Sequence, residues 1–357
     1  MKVFTVVGAR PQFVKAAVVS RKIKEANGVE EVLVHTGQHF DEKMSNIFFT
    51  EMEIPKPKYN LEINSLGHGA MTGRMLEGLE ELMQKENPDI VLVYGDTNST
   101  IAGALAAKKL HINVGHVEAG LRSFNMKMPE EVNRILTDRI SNVLYCPTQI
   151  AINNLNNEGY QNIDCRILKS GDVMQDAAYF YAKYSEQKAE VAHQYKSEKY
   201  VLVTLHRAEN TDDLQRLSSI IEALNQLSTT YQIVLPLHPR TKKIIEQHNL
   251  VLNFSPIDPV GYFDMIELLK HAQFVMTDSG GLQKEAFFFK KSCITMRDQT
   301  EWVELIEHGF NTLTGANTNN ILEAANNINS AQPNFDIDLY GKGMAGDNIL
   351  KDLISFA

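Results

Sequence analysis

The sequence predicts an α/β protein made of two doubly wound halves, Rossmann-like domains with parallel sheets facing each other across a cleft, and three observations lead there. Short runs rich in Val, Ile and Leu alternate with segments whose apolar residues recur three and four apart, as buried parallel strands and their crossover helices require. The alternation pauses once, at residues 169–172, and then starts again. With 357 residues the chain has room for two domains of roughly 100 to 200 residues each.

In the first series, strand-like runs fall at residues 3–7, 31–35, 90–94, 113–117 and 144–146, with helical spacing over 13–25, 68–85 and 100–110. At 169–172 a Gly follows a further strand, and a polar helix rich in Tyr and Lys is expected to run to about residue 196. The second series gives strands at 200–205, 232–237, 251–254, 274–277 and 292–296. Helical spacing returns at 346–356, in a segment expected to pack back on the first domain. The expected domains are 1–169 with 346–357, and 170–345. Ligands in such folds bind at the carboxyl ends of the strands.

Composition narrows the class. Hydrophobic residues make up 43% and charged residues 22%, which excludes a disordered, collagen-like or coiled-coil chain. Lys and Arg number 35 against 44 Asp and Glu, a net charge of -9, so a nucleic-acid partner is not expected and any anionic ligand needs a local basic site. No run approaches 18 apolar residues and the start reads as a strand, so neither a membrane span nor a signal peptide is expected, and the location is read as cytoplasmic. Cys146, Cys165 and Cys293 are scattered and form no CxxC, which points to buried thiols rather than disulfides or a zinc site.

The polar residues at the strand ends carry the chemistry. Gly8-Ala9-Arg10-Pro11-Gln12-Phe13-Val14-Lys15 joins a strand to a helix start, where free N–H groups and the cations of Arg10 and Lys15 suit an anion. An ordinary turn with solvated Arg and Lys explains the same residues, and the Walker pattern is missing. Tyr94-Gly95-Asp96-Thr97-Asn98-Ser99-Thr100 brings Asp96 to the next strand end, as a functional acid or as a helix cap. Glu118 leaves the strand after that. Glu130 and Glu131 then open a helix that Pro129 can start, with Arg134 a turn away to hold a carboxylate. Three successive strand ends deliver carboxylates and cations to one sheet edge.

The second half repeats the habit. His206 and Arg207 follow one strand, and His206 is placed like a general acid or base or a phosphate ligand. His238 and Arg240 follow the next. In Thr277-Asp278-Ser279-Gly280-Gly281-Leu282-Gln283-Lys284-Glu285 two glycines let a phosphate approach the backbone closely, and Glu285 is suited to ribose hydroxyls. Arg297 adds a cation to the same rim. Two matches are set aside: Gly341-Lys342-Gly343-Met344-Ala345-Gly346 fits GxGxxG but has no βαβ unit after it, and His35 with His39 lacks a third zinc ligand.

Taken in order, GARPQFVK, YGDTNST, HVEAGLRS, PEEVNR, LHRAEN, LHPR and TDSGGLQKEA resemble the non-hydrolysing UDP-N-acetylglucosamine 2-epimerase family from Gly8 to beyond Glu301. The resemblance implies the GT-B arrangement of two Rossmann-like domains, with most of the nucleotide held by the second and the sugar between the two. It implies epimerisation at C2, interconverting UDP-GlcNAc and UDP-ManNAc through anti elimination of UDP, a 2-acetamidoglucal, and re-addition of UDP with protonation from the other face. Neither a cofactor nor a metal is implied. Such chemistry needs a base, an acid for the opposite face and cations for the departing diphosphate. By motif, Asp96, Glu118 and Glu130 are the acid/base candidates, oriented by Arg134, with Lys15 and His206 toward the reaction centre or phosphate and Arg10 supporting its loop. Ser279, Gly280, Gly281 and His238 would hold the diphosphate and Glu285 the ribose, with Arg207 and Arg297 completing the substrate set. The family also implies a homodimer and a place in surface-polysaccharide synthesis.

Departures from the pattern point to a branch. Gln38-His39-Phe40-Asp41 differs from the Gln-His-Arg of members activated by their own substrate, and Thr300-Glu301-Trp302-Val303-Glu304 differs from Thr-Glu-Arg-Pro-Glu. The segment from Phe124 to Met128 is short and carries Lys127, which is either an ordinary exposed loop residue or a contact for a sugar carboxylate. With HTGQHFD these features resemble the branch that epimerises UDP-2,3-diacetamido-2,3-dideoxyglucuronate for O-antigen synthesis. The competing classes are a GT-B glycosyltransferase, which would need an acceptor pocket, a hydrolysing epimerase, and a non-catalytic UDP-sugar-binding protein.

Overall fold

A computed structural model describes residues 1–38, 54–195, 199–328 and 333–356. His39, Phe40 and Asp41 lie outside the described residues. The chain forms two compact units, one of Met1–Ala177 with Asp338–Ala357 and one of Ala178–Ile337.

The first unit is built on seven strands, β1 (Lys2–Val7), β2 (Glu30–His35), β3 (Tyr59–Asn60), β4 (Ile90–Tyr94), β5 (Asn113–Val117), β6 (Val143–Cys146) and β7 (Arg166–Lys169), in the order β3-β2-β1-β4-β5-β6-β7. Every pairing is parallel. Among the described residues its helices include α1 (Arg10–Glu25), α2 (His68–Glu86), α3 (Asn98–Lys109), α4 (Pro129–Ile140) and α5 (Gln149–Asn157). Met75, Leu79 and Met83 are fully buried at helical spacing on α2, beside Val32, Val91 and Val93 of the sheet. Each such side chain contributes about 1.5–3 kcal/mol on burial. Strand order reverses at β1, so the crevice that such sheets reserve for ligands opens between the ends of β1 and β4. The loops after these strands hold Gly8–Arg10 and Gly95–Asp96.

The long helix α6 (Val173–Lys188) links the units. It stops well short of residue 196, and a 3-10 turn follows at Ala192–Tyr195. There Asp264 accepts the N–H groups of Glu190, Val191 and Ala192 at 2.7–2.9 Å, which satisfies the chain as it turns from the helix.

In the second unit, β8 (Tyr200–Thr204), β9 (Gln232–Val234), β10 (Val275–Thr277), β11 (Cys293–Thr295) and β12 (Asn311–Leu313) form a sheet in the order β12-β11-β10-β8-β9. It too is wholly parallel. The helices are α7 (Ala208–Thr211), α8 (Leu214–Leu227), α9 (Pro239–Gln247), α10 (Tyr262–His271), α11 (Gly280–Phe288), α12 (Val303–Glu307) and α13 (Thr318–Asn327). Order reverses at β8, which places the ligand crevice of this sheet between the ends of β8 and β10. The strand expected at 251–254 does not form; the chain there makes only an isolated bridge, Ile257 to Pro236. Apolarity alone misleads at that point, because a short run packs on a core equally well as a loop: Leu252 and Phe254 lie against the core while Val251 is exposed. Strand β12, by contrast, has too few apolar residues to stand out.

The last helix, α14 (Ala345–Ile354), belongs to the first unit. Lys22 pairs with Asp347 at 2.8 Å, and Asp176 accepts the N–H groups of Ala345 and Gly346 at 3.1 and 2.8 Å, so the first helix of the chain and α6 both grip its start. The GxGxxG match is the turn before this helix. The cysteines are free, Cys146 and Cys293 buried and Cys165 half-buried. Among the described residues, no helix is long and apolar enough to cross a membrane.

Candidate active site

At the β1–β4 crevice the first loop is fixed from inside. Buried Gln12 accepts the N–H groups of Gly8 and Ala9 at 2.8 and 3.0 Å and donates to the Tyr94 carbonyl at 2.6 Å and the Thr100 hydroxyl at 2.9 Å. One side chain thus ties the loop after β1 to the loop after β4. Gly8 is required, since a Cβ there would stand 2.0 Å from Ser99 Oγ and 2.2 Å from Thr36 Oγ1. Two of the N–H groups at the start of α1 are therefore committed to Gln12, and the cations make the stronger anion-binding feature of this loop.

One of those cations meets a carboxylate. Lys15 Nζ contacts Glu118 Oε2, and both side chains are mostly buried. Glu118 has φ +70°, a left-handed conformation that costs a non-Gly residue about 1–3 kcal/mol. That turn takes the carboxylate away from the extended path of β5 and beside Gly95, where a Cβ would lie 3.3 Å from Glu118 Oε2 and 3.5 Å from Lys15 Nζ. Asp96 leaves α3 uncapped by its own side chain, because Thr97 takes that place and accepts from Thr100 N–H. Asp96 instead pairs with Arg134.

Arg134 also reaches Glu131 at 3.0 Å, which changes the expected partner. The sequence leaves Glu130 and Glu131 equivalent as neighbours of Arg134. In the structure Glu131 is fully buried and accepts from Ser123 N–H and Oγ at 2.9 Å and Phe124 N–H at 2.8 Å, while Glu130 stands exposed on the first turn of α4. Burial acts to raise the Glu131 pKa, but the bonds from Ser123 and Phe124 and the Arg134 charge outweigh it and hold the carboxyl below its ordinary value. Burial likewise opposes the charge of Arg134, yet Asp96 and Glu131 push its pKa up. Glu131 anchors the loop that bears Lys127, itself exposed.

At the β8–β10 crevice the organiser is Asp278, fully buried at the end of β10. It accepts the N–H groups of His206 at 3.1–3.2 Å and Arg207 at 2.9 Å, with His206 Nδ1 at 3.4 Å. Burial pushes the His206 pKa down; Asp278 opposes this, and Arg207 and His238 add to it. Ser279 caps α11, and His238 caps α9 by accepting Arg240 N–H at 3.2 Å. The α11 start is asymmetric: a Cβ at Gly280 would fall 2.5 Å from Glu301 Oε1, while one at Gly281 would meet nothing within 4 Å. Arg297 is buried and pairs with Glu301 at 3.0 Å. Glu285 accepts from Tyr262 OH at 3.4 Å. His206, Arg207, Arg297, Ser279, Gly280 and Gly281 thus gather at one sheet edge, near His238.

Sequence patterns do not single out Gln12, Asp278 or the buried Glu131. Each sits at an element end, where its burial requires partners, and those partners become visible only in the fold.

The first unit therefore presents carboxylates locked to cations at a ligand crevice, and the second a glycine helix start with two imidazoles and two guanidinium groups. Such features define two ligand crevices, one suited to acid/base chemistry and one to an anionic group. Comparisons with known proteins are specific. The family model described as UDP-N-acetylglucosamine 2-epimerase matches residues 21–354. The UDP-2,3-diacetamido-2,3-dideoxy-D-glucuronate 2-epimerase of Pseudomonas aeruginosa is 55% identical over 354 residues, covering 99% of each chain. The UDP-N-acetylglucosamine 2-epimerase of Methanocaldococcus jannaschii is 42% identical, again over 99% of each. The crystal structure of that enzyme with UDP-GlcNAc and UDP superposes with a TM-score of 0.87 over 99% of this chain and 100% of the other, at 41% identity. The Neisseria meningitidis enzyme bound to UDP-GlcNAc gives the same TM-score at 30% identity, covering 99% of this chain and 100% of its own. The chain belongs to the UDP-N-acetylglucosamine 2-epimerase family and is an isomerase.

Proposed function

We propose that this isomerase inverts C2 of a UDP-2-acetamido sugar, and that the sugar is UDP-2,3-diacetamido-2,3-dideoxyglucuronate. The observation that carries the reaction is the pair of carboxylates at neighbouring strand ends, Glu118 held by Lys15 and Asp96 held by Arg134. A base takes the C2 proton as the C1–oxygen bond to UDP breaks, leaving a C1–C2 double bond. UDP then adds back at C1 while an acid protonates C2 on the opposite face. Asp96, Glu118 and Glu130 are the proton carriers in this reading, and Lys15, Arg10 and His206 offset the charge on the leaving diphosphate. Ser279, Gly280, Gly281, His238, Arg207 and Arg297 bind the diphosphate, and Glu285 the ribose. No cofactor or metal takes part. The same reading makes the protein a cytoplasmic homodimer serving surface-polysaccharide synthesis, O-antigen in particular.

The 55% identity favours the diacetamido uronate. UDP-GlcNAc itself, giving UDP-ManNAc, is the second reading, favoured by the Methanocaldococcus and Neisseria structures that hold it. The test is NMR of both sugars with the protein in D2O and no acceptor. Deuterium at C2 and the C2 epimer, still linked to UDP, are expected for the uronate. Free UDP with free amino sugar would make the protein a hydrolase. No change at C2 in either sugar would leave a glycosyltransferase or a binding protein.

A further inference from the structure

Beneath the Asp96 turn lies a chain of charged groups to which the proposed reaction assigns nothing. His116, on β5 two residues before Glu118, is fully buried. Its Nδ1 stands 2.7 Å from Asp138 Oδ1 and its Nε2 stands 2.7 Å from the carbonyl oxygen of Gly95, the residue before Asp96. Asp138 Oδ2 accepts from Arg122 at 2.7 Å and from Gly120 N–H at 3.2 Å. Arg122 continues to Glu158 through two bonds of 2.7 and 2.8 Å.

Both ring nitrogens of His116 face acceptors. A neutral imidazole has one N–H and leaves one of these contacts as two facing lone pairs, whereas the imidazolium donates to both. Charge balance leads to the same answer. Glu158, Arg122 and Asp138 alternate in sign and sum to one negative charge, with the Arg122 and Asp138 side chains fully buried. A positive His116 completes an alternating chain of four, and buried charges persist only when paired.

We propose that His116 is a positioning residue held as an imidazolium by Asp138, and that its bond to the Gly95 carbonyl fixes the turn that presents Asp96. Gln12 and the Thr100 hydroxyl hold the preceding carbonyl, that of Tyr94, at 2.6 and 2.7 Å. The two peptide units before Asp96 are thus clamped from both sides, and Arg134 aligns the carboxylate beyond them. His116 touches no reacting atom. It acts through Gly95, and its own strand leads directly into Glu118. The inference rests on the proposed epimerase reading for its effect on turnover, but the charge state of the ring does not.

Two measurements test it separately. In the full-length wild-type protein with 15N-labelled histidine, the NMR signals of His116 are expected to show protons on both ring nitrogens at pH 7.5; in Asp138→Asn one of them is lost. A singly protonated His116 in the wild type overturns the proposal, whatever the protein turns over. In His116→Gln, whose amide N–H reaches toward the Gly95 carbonyl, kcat is expected to fall about 10- to 100-fold with KM and UDP affinity unchanged. His116→Leu, which donates nothing, is expected to fall further. Equal rates for the Gln and Leu variants, or a rise in KM matching the fall in kcat, would also overturn it. Should either variant fail to fold, the NMR result on the wild type decides.

Discussion

At the strand ends of the first unit carboxylates are locked to cations, whereas at those of the second a buried carboxylate gathers backbone N–H groups beside a glycine helix start. Lys15 is paired with Glu118, Arg134 with Asp96 and Glu131, and His116 with Asp138. In the second unit buried Asp278 collects the amides of His206 and Arg207, and the α11 start offers glycines with open space beside Gly281. The contrast matches two chemical demands. Proton transfer depends on where a carboxylate points, and an opposing cation fixes both its direction and its charge. Holding a diphosphate depends on close approach to the main chain, which a bulky side chain would prevent.

The largest effect expected from this difference lies in the first unit. Asp96→Asn and Glu118→Gln keep the shape of each group and remove its basicity, so turnover should fall on the order of 10²- to 10⁴-fold while UDP still binds. Steady-state rates together with calorimetric titration of UDP check this. If both variants turn over at near wild-type rates, the paired carboxylates do not carry protons and the contrast between the units loses its chemical meaning.

Next in size is Arg134→Lys. A guanidinium serves Asp96 and Glu131 at once from a planar fork, and an ammonium does not. A kcat loss of about 10- to 100-fold with little change in KM is expected, because the carboxylate would remain but lose its alignment. A loss confined to KM would make Arg134 a substrate-binding group.

The same pairing should make the first unit sensitive to acid. Glu131 has a folded pKa below its ordinary value, so it contributes stability that is present above the unfolded value, near 4.5, and is lost as pH falls through the folded value. Glu131→Gln should cost about 1–3 kcal/mol at neutral pH and should show a shallower fall in stability toward pH 3 than the wild type. Urea unfolding across that range measures both. Parallel curves for the two proteins would mean that Glu131 does not stabilise as a carboxylate.

How much of this was legible in the sequence follows from the same contrast. Parallel strands announce themselves because both faces are buried, and the residues just past them, Asp96, Glu118, His206 and Ser279, are found by counting to the strand end. Exact partners are not found that way. Glu130 and Glu131 look alike to Arg134 in one dimension, and only the fold of the loop at Ser123 and Phe124 decides which of them is buried. The false strand at 251–254 and the unforeseen β12 err for a related reason: apolar side chains report burial, not the hydrogen-bonded partner that makes a strand.

The smallest expected effect concerns the second unit and separates folding from binding. Gly281 lies in the first turn of α11, its backbone φ is not positive, and a methyl group there meets nothing within 4 Å. Gly281→Ala should therefore leave stability unchanged or raise it by about 0.5–1 kcal/mol, since Ala favours a helix over Gly. Nevertheless the added methyl would occupy the space through which a diphosphate approaches the N–H groups, and UDP affinity should fall about tenfold, or about 1.4 kcal/mol. Gly280→Ala is the control of opposite character, because its methyl presses on Glu301 and so disturbs the Arg297 pair. It should lower the melting temperature where Gly281→Ala does not. If Gly281→Ala binds UDP as the wild type does, the open glycine is only a turn. The second unit would then have to hold its anion through His206, His238 and the arginines, by the side-chain means that otherwise distinguish the first.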